Sequence, residues 1–219
     1  VSLDHACLAE PIVATHHWIQ ERAPVKVGDE VVVVGPGPMG IMGCQYAKLC
    51  GARRVFLIGL RSDAKRLEIG RQVGADFALI SEEQPEETVM AVTGGKGAEV
   101  VLECSASEKG VRHALDCARK AYEGPGGKGI VVFISLWGEK LSLNLDEISL
   151  GQLDIRGSWS WNGHTTWEHA VDLLDRQVFD LDPMITAHYT LDQWETAFAN
   201  LRAKQDVKAL IHPNGRDWT

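Results

Sequence analysis

The stretch Val31-Val32-Val33-Val34-Gly35-Pro36-Gly37-Pro38-Met39-Gly40 decides the fold of this 219-residue chain. Four β-branched residues in succession predict a strand buried on both faces. The glycines that follow have the G-x-G-x-x-G spacing of a dinucleotide-binding turn. In such a turn, Gly35 permits the tight bend, Gly37 lets backbone N–H groups approach a pyrophosphate, and Gly40 lets the next helix pack close to the strand. The alternative interpretation is a glycine-rich turn that binds nothing.

Segments of strand and helix character alternate after this turn. The predicted strands cover residues 31–34, 55–58, 76–80, 100–103 and 129–134. The predicted helices cover 38–50, 63–73, a short segment ending near 93–95, and 109–121. Such alternation predicts right-handed βαβ units, and hence an α/β fold with a doubly wound, mainly parallel sheet. An irregular helix is predicted over 1–22, and the later part adds strands at 153–159 and 207–211 and helices at 166–176 and 191–202.

The composition excludes several classes of partner. The net charge is -8, and the basic stretch from Arg61 to Arg71 is interleaved with acids, so no nucleic-acid surface is expected. No apolar run approaches the ~20 residues needed to cross a bilayer, so no membrane association is expected. With 45% hydrophobic residues, the chain can bury a sizeable core.

The cysteine pattern predicts reduced thiols and no zinc lobe. None of the five cysteines forms a C-x-x-C pair, which fits buried thiols in a cytoplasmic protein. The neighbouring His16 and His17 point to different sides of a helix, so a metal site shared by them is not expected. The sequence begins at Val1 without a signal-peptide pattern, and we expect it to be part of a longer protein.

The end of the second predicted strand bears on the choice of cofactor. In NAD-binding units an acidic residue about 20 positions after the glycines accepts hydrogen bonds from the ribose. Here Gly59 takes that place, and Arg61, Ser62 and Arg66 follow. A guanidinium at this position can bind a 2′-phosphate, so NADP is favoured and NAD is the alternative. Asp63 is assigned to the helix dipole instead, and the competing interpretation of Arg61 is a solvated loop charge.

Several further motifs occur in a fixed order: Ala9-Glu10-Pro11, Val27-Gly28-Asp29, Gly74-Ala75-Asp76, Glu103-Cys104-Ser105 and Arg156-Gly157-Ser158-Trp159. Together with the glycine turn, they make the chain resemble the cofactor-binding half of the medium-chain, zinc-dependent alcohol dehydrogenases. The sorbitol and threonine dehydrogenase branch is the most similar. The resemblance runs from about residue 1 to residue 213.

The resemblance implies a domain organisation and a reaction. Residues 27–180 would form the Rossmann domain, 1–26 a connecting helix, and 181–219 a return segment that completes an N-terminal domain absent from this chain. The reaction would be reversible hydride transfer between a secondary alcohol or polyol and the nicotinamide, with zinc polarising the oxygen. The zinc ligands belong to the absent domain, so this chain is expected to hold no zinc and to be inactive alone.

The resemblance also implies residue roles, and it assigns no catalytic residue to this chain. Cofactor contacts beyond those already named are expected from Pro38, Met39, Cys104, Ser105 and Ala106 on the pyrophosphate and adenosine side, and from Ile134, Ser135, Leu136 and Trp159 near the nicotinamide. Glu10 matches a glutamate beside the metal, although an exposed acid is an equal alternative. The alternative interpretation of Trp159 is a core or interface residue. Ser160 stands where sorbitol dehydrogenases commonly have an arginine. A homodimer or homotetramer would pair through the sheet edge near 141–155.

Two other readings of the sequence stay open. One is a stand-alone NAD(P)-binding module without catalysis, against which the return segment argues. The other is a zinc-free medium-chain reductase, which the Glu10-Pro11 pair disfavours.

Overall fold

A computed structural model describes residues 1–123, 127–138 and 140–215. Its centre is a six-stranded sheet in which every neighbouring pair of strands is parallel. The spatial order of the strands is β3-β2-β1-β4-β5-β6. Their bounds are Glu30–Val34 (β1), Arg54–Gly59 (β2), Phe77–Ile80 (β3), Val100–Glu103 (β4), Ile130–Phe133 (β5) and Asp154–Gly157 (β6). The predicted doubly wound parallel sheet is therefore confirmed.

Helices connect the strands and cover both faces of the sheet. They are Leu3–Ala6 (α1), Ala9–His16 (α2), Pro38–Leu49 (α3), Ala64–Val73 (α4), Pro85–Val92 (α5), Glu108–Cys117 (α6), Leu145–Gly151 (α7), Gly163–Asp175 (α8) and Trp194–Arg202 (α9). Short 3₁₀ turns at Arg61–Asp63, Ser81–Glu83, Ala121–Glu123, Asp182–Met184 and Leu191–Gln193 complete the connections. A parallel two-stranded ribbon, Ile185–Thr190 (β7) and Lys208–His212 (β8), lies outside the main sheet.

The core consists of two apolar layers, one on each face of the sheet. Val31 and Val33 of β1 pack into one layer, and Val32 and Val34 pack into the other. All four side chains are buried because successive residues of a strand point to opposite faces. The run of four valines thus places β1 at the centre of the sheet, where both faces are covered.

The N-terminal segment is less regular than the single helix expected there. Helix α1 ends at Ala6, α2 begins at Ala9, and a π-helical turn His17–Arg22 follows it. Pro11 lies in the first turn of α2, where its missing N–H has no intrahelical partner to lose. The two histidines have separate partners, since His16 Nδ1 lies 2.5 Å from the Tyr46 hydroxyl and His17 Nδ1 lies 2.9 Å from Glu21 Oε2.

One other predicted helix differs in its bounds. The helix expected over 109–121 ends at Cys117, because the extended Ala118 forms a bridge to Ala98 beside the sheet. Residues 141–144 lead into α7, whose first turn begins where the Asn144 side chain accepts a hydrogen bond from the Asp146 N–H. The edge strand of the sheet on this side is β6, at 154–157, and β3 is the edge strand on the other side.

No helix among the described residues is both long enough and apolar enough to cross a membrane. Residues 216–219, the end of the expected return segment, and 124–126 and 139, within the expected Rossmann domain, lie outside the described part of the chain.

Candidate functional site

A cavity of about 350 Å³ opens at the carboxyl ends of β1, β2 and β4. Strand β1 lies between β2 and β4, so the chain crosses to opposite sides of β1 at this point. Open parallel sheets bind ligands in the crevice at such a switch point. The cavity lining includes Gly35, Gly37, Gly59, Cys104 and Ser105, all of which the sequence singled out.

The three glycines after β1 have different geometric roles. Gly35 has a φ of +106°, a conformation that L side chains rarely adopt. A Cβ on Gly40 would lie 2.0 Å from the carbonyl oxygen of Gly35, so α3 can approach the strand only without a side chain there. A Cβ on Gly37 would meet nothing within 4 Å. The backbone of Gly37 is therefore accessible from the cavity, so a ligand could contact its N–H group directly.

The N-terminus of α3 faces this open space. Gly37 is its N-cap and provides no side-chain hydrogen bond, and Pro38 occupies the first turn. The first-turn N–H groups of Met39 and Gly40 thus have no side chain capping them. Together with the positive end of the helix dipole, they form an environment suited to an anion such as a pyrophosphate.

Gly59 lies at the end of β2, and the atoms around it leave no room for a side chain at this position. A Cβ on Gly59 would lie 2.6 Å from Cγ and 2.9 Å from Cδ of the Pro36 ring. No carboxylate can take this position unless Pro36 moves. The end of β2 therefore lacks the acidic residue that NAD-binding units carry at this position.

Asp63 is the N-cap residue of α4, next to the positive end of that helix's dipole, and its side chain has further partners. Asp63 ends a 3₁₀ turn and is only 5% exposed, on the cavity wall. Its Oδ2 accepts a hydrogen bond from the Leu60 N–H at 3.0 Å, and its Oδ1 lies 2.8 Å from Lys204 Nζ. Burial and these two partners mean that Asp63 fastens the loop after β2 to the segment after α9.

The basic residues expected here are divided between two places. Arg61 lies outside the cavity lining, with Nη2 2.5 Å from Glu83 Oε1 and its N–H donating to Glu82 Oε2 at 3.1 Å. Arg66 lines the cavity and donates from Nη2 to the Asp206 carbonyl oxygen at 2.7 Å. Its buried Nε has no hydrogen-bond partner among the residues that the structure describes. Ser62 is also outside the lining, and its Oγ accepts from Lys204 at 3.5 Å.

Sequence reasoning missed the cavity residues Ser81, Lys109, His113 and Lys204. Lys204 is 131 positions beyond the end of α4 and has a left-handed backbone with a φ of +59°. No local pattern links it to the glycine turn. Lys109 lies in the first turn of α6, and with Arg66 and Lys204 it gives the cavity three cationic side chains against the single Asp63, a balance that favours an anionic ligand.

The end of β4 supplies a buried carboxyl group. Oε1 of Glu103 accepts hydrogen bonds from the N–H and hydroxyl of Ser105 at 2.7 and 2.5 Å, while its Oε2 has no hydrogen-bond partner within the described part of the chain. Burial raises the pKa of Glu103, and the Ser105 hydrogen bonds oppose that rise. Burial also raises the pKa of the Cys104 thiol, so it stays protonated and is not a nucleophile.

The residues expected near the nicotinamide do not line this cavity. Ser135 Oγ accepts from the Ala106 N–H at 3.2 Å, which brings the ends of β4 and β5 together. Ile134 packs against the core, whereas Leu136 and Trp159 are 73% and 67% exposed. These side chains border the open side of the sheet rather than the enclosed part of the site.

The position of Glu10 does not resemble a metal centre. Glu10 is exposed at the start of α2, and it belongs to no group of three candidate metal ligands among the described residues. The residues around Glu10 in this chain therefore do not fit a zinc ion by themselves.

This sheet order, with a glycine turn and an uncapped helix N-terminus at the switch point, defines a Rossmann-type dinucleotide-binding domain. The chain belongs to the zinc-binding dehydrogenase family, whose model matches residues 38–176. The predicted membership of the medium-chain, zinc-dependent alcohol dehydrogenases is confirmed, and the chain corresponds to their cofactor-binding domain.

Relatives and solved structures agree on this placement. A sorbitol dehydrogenase of Halalkalibacterium halodurans is 32% identical over 95% of this chain and 58% of its own length. A D-arabitol-phosphate dehydrogenase of Enterococcus avium is 29% identical over 100% of this chain and 60% of its own length. A crystal structure of a zinc-binding dehydrogenase from Clostridium scindens has a TM-score of 0.84 at 25% identity, covering 98% of this chain and 58% of that one. The chain thus spans about three fifths of the length of the relatives it matches.

Proposed function

We propose that this chain binds a nicotinamide dinucleotide, NADP in preference to NAD, as the cofactor-binding part of an alcohol or polyol dehydrogenase. In the reaction, the carbinol carbon of a secondary alcohol gives a hydride to the nicotinamide, and its hydroxyl proton goes to solvent. The observation that carries the proposal is the open backbone of Gly37 at an uncapped helix N-terminus. It provides room and N–H donors for a pyrophosphate.

The ends of the strands suggest how the cofactor would lie. The pyrophosphate would contact the turn Gly35–Gly40, including Pro38 and Met39. The adenosine ribose would lie beside Gly59 and the segment Cys104–Ala106. The nicotinamide would extend toward 134–136 and Trp159, which border the open side of the sheet.

The preference for NADP is supported by what surrounds the ribose position. Pro36 excludes a carboxylate at Gly59, and Arg66 and Lys204 line the adjoining wall. A 2′-phosphate carries negative charge that these cations can bind, whereas a carboxylate would repel it. Arg61 and Ser62 are the remaining residues that we propose to contact the 2′-phosphate. Arg61 would have to exchange Glu83 for the phosphate, and an exposed ion pair of this kind is worth only about 0–1 kcal/mol.

The substrate class is proposed from the relatives, which are named as sorbitol and D-arabitol-phosphate dehydrogenases. Zinc would act in the longer protein, with Glu10 beside it, and the cation would polarise the substrate oxygen. Because the zinc ligands are expected from residues beyond this chain, the 219 residues alone should bind cofactor without oxidising alcohols. Zinc-dependent oxidation of an alcohol by this chain would contradict that part of the proposal.

A titration of the chain with NADPH and NADH tests the cofactor proposal. Gly37→Val places a side chain in the open cradle, where its Cβ would have no atom of the described residues within 4 Å, so we expect it to abolish binding of both cofactors and to leave the chain folded. Unchanged binding in a folded Gly37→Val variant would refute the proposed position of the pyrophosphate. Failure of the wild-type chain to bind either cofactor would refute the proposal altogether.

We also propose that copies of the chain associate through the sheet edge near 141–155. Strand β6 has a neighbour on one side only in the described sheet, and α7 beside it exposes Leu145 and Leu150 at 69% and 70%. A homodimer or homotetramer would cover these leucines. Leu150→Asp should shift the mass measured by light scattering toward the monomer.

A cytoplasmic location fits the five cysteines, all of which are free thiols.

A further inference from the structure

Three side chains that the dinucleotide site does not use converge where α1 meets the β7–β8 ribbon. They are Asp4 of α1, His188 of β7 and His212 of β8. Nδ1 of His188 lies 2.9 Å from Nε2 of His212. The Asp4 carboxylate faces both nitrogens, with Oδ2 3.8 Å from His188 Nδ1 and Oδ1 3.8 Å from His212 Nε2. Two imidazoles and one carboxylate therefore face a common point.

The topology of the ribbon explains why the two histidines meet. In the parallel register, His188 pairs with Leu210 and Thr190 pairs with His212. Residues two apart on a strand share a face, so His188 and His212 are diagonal neighbours on the same face. Their rings are 5.1 Å apart between centroids and inclined at 33°. Helix α1, which begins at its N-cap Ser2, places Asp4 against that face.

The distances between the ligand atoms suit a small divalent cation. Tetrahedral zinc with ligands at about 2.0–2.2 Å requires ligand atoms roughly 3.3–3.5 Å apart. The two nitrogens are 2.9 Å apart, and each lies 3.8 Å from a different oxygen of Asp4, so the observed separations lie on both sides of that value. With one ligand atom taken from each residue, all three lie within 4.8 Å of one another, so movement of the carboxylate toward the rings would bring them to the spacing of zinc ligands.

The types of the ligands select the class of metal. Two imidazole nitrogens favour Zn²⁺ and neighbouring transition metals over Mg²⁺ or Ca²⁺, which prefer oxygen ligands. The Asp4 carboxylate would neutralise one of the two positive charges of the divalent cation. The side chains of Asp4, His188 and His212 are 34%, 21% and 17% exposed, so a water molecule can reach the fourth position.

We infer that Asp4, His188 and His212 form a three-ligand site for Zn²⁺ or a related transition metal. Glu10, which the family resemblance places beside a metal, is not among these three ligands. The cation would join the four-residue helix α1 to the β7–β8 ribbon, two segments about 180 residues apart in the sequence. Its first effect would be to hold the N-terminal segment in place.

The test uses the 219-residue chain after removal of metals with a chelator, in a Cys7→Ser background. Cys7 lies beside Asp4 and His212 on a surface groove, so its thiol is removed as a competing ligand. Zinc is titrated calorimetrically, and cobalt is used as a spectroscopic substitute. We expect one zinc per chain, a higher melting temperature with zinc, and cobalt bands without a thiolate charge-transfer component.

Variants locate the ion. His188→Ala, His212→Ala and Asp4→Asn should each weaken zinc binding by about tenfold or more, because each removes one of three ligands. His164→Ala, which removes an 86% exposed histidine elsewhere, should leave zinc binding unchanged. Circular dichroism checks that each variant is folded. The cobalt spectrum of the chain with all three ligands in place reports the types of the ligands without any substitution of them.

Three outcomes would overturn the inference. The first is the absence of saturable zinc binding. The second is binding that survives the His188→Ala and His212→Ala changes. The third is binding that Glu10→Gln removes and His212→Ala does not, which would place the ion at the position implied by the family.

Discussion

The ring of Pro36 occupies the space that a side chain at Gly59 would need, with Cγ 2.6 Å from the position of a Cβ there. The turn after β1 thereby constrains the residue that ends β2, 23 positions later. Gly59→Asp should lower the free energy of unfolding by about 1–3 kcal/mol, the usual cost of overpacking. Urea unfolding measures this change.

Relief of the crowding should also change the choice of cofactor. In the double variant Pro36→Ala/Gly59→Asp the carboxylate has room to accept hydrogen bonds from a ribose, and it repels a 2′-phosphate. We expect stability to return and NADH to bind more tightly than NADPH in a fluorescence titration. Pro36→Ala alone is the control. A double variant that keeps the wild-type preference would show that Gly59 does not face the ribose.

Two glycines of α3 provide a matched pair for stability. Gly40→Ala puts a Cβ 2.0 Å from the Gly35 carbonyl oxygen, a backbone atom that cannot move aside, and should destabilise the chain by about 3 kcal/mol or more. Gly43→Ala meets only Leu102 Cδ1 at 3.4 Å and improves helix propensity, so stability should stay within about 1 kcal/mol of the wild type or rise. Thermal unfolding of both variants makes the comparison. Equal losses would contradict the close approach of α3 to β1.

His16 should make stability depend on pH. Burial, and secondarily the nearby His169, lowers the pKa of His16 below its ordinary value of 6.5. Between the folded and unfolded pKa values the unfolded chain binds more protons, so stability is full above about pH 6.5 and falls as the pH drops. The limiting slope for one proton is about 1.4 kcal/mol per pH unit.

Urea unfolding at several pH values between 5 and 8 measures this dependence. His16→Gln removes the titrating group while an amide can still bond to the Tyr46 hydroxyl, so its profile should be flatter than that of the wild type. His164→Gln, on the exposed surface of α8, should keep the wild-type slope. If His16→Gln and the wild type have the same slope, another group carries the dependence.

Arg61 and Arg176 form a second matched pair. Both are well exposed, at 69% and 62%, and both contact an acid, Glu83 and Asp172 respectively. Arg61→Ala should weaken NADPH binding by about 1.5–3 kcal/mol, the scale of a hydrogen bond to a charged group, and leave NADH almost unchanged. Arg176→Ala should affect neither. Equal loss of both cofactors in Arg61→Ala would make Arg61 a solvated loop charge.

Lys204 extends the same test to the far side of the cavity. Lys204→Gln removes the positive charge but keeps a donor for the buried Asp63, 2.8 Å away in the wild type. We expect NADPH binding to weaken selectively and the melting temperature to change little. If NADH binding falls by the same factor, Lys204 shapes the cavity instead of binding a 2′-phosphate.

The sequence by itself determined the sheet and the glycine turn. Four successive valines bury all their side chains only in a strand that is covered on both faces. The spacing of Gly35, Gly37 and Gly40 is typical of the dinucleotide-binding turn. These signals are local, so no tertiary information was needed to read them. The missing acid at Gly59 was visible for the same reason.

The tertiary structure alone decided which side chains meet. Lys204 reaches Asp63 across 141 positions, and His188 meets His212 only through the register of a ribbon. Arg61, close to the glycine turn in the expected unit, turns instead toward Glu83. A side chain's partner depends on where distant segments of the chain pack, and that packing is a property of the whole core rather than of any local run of residues.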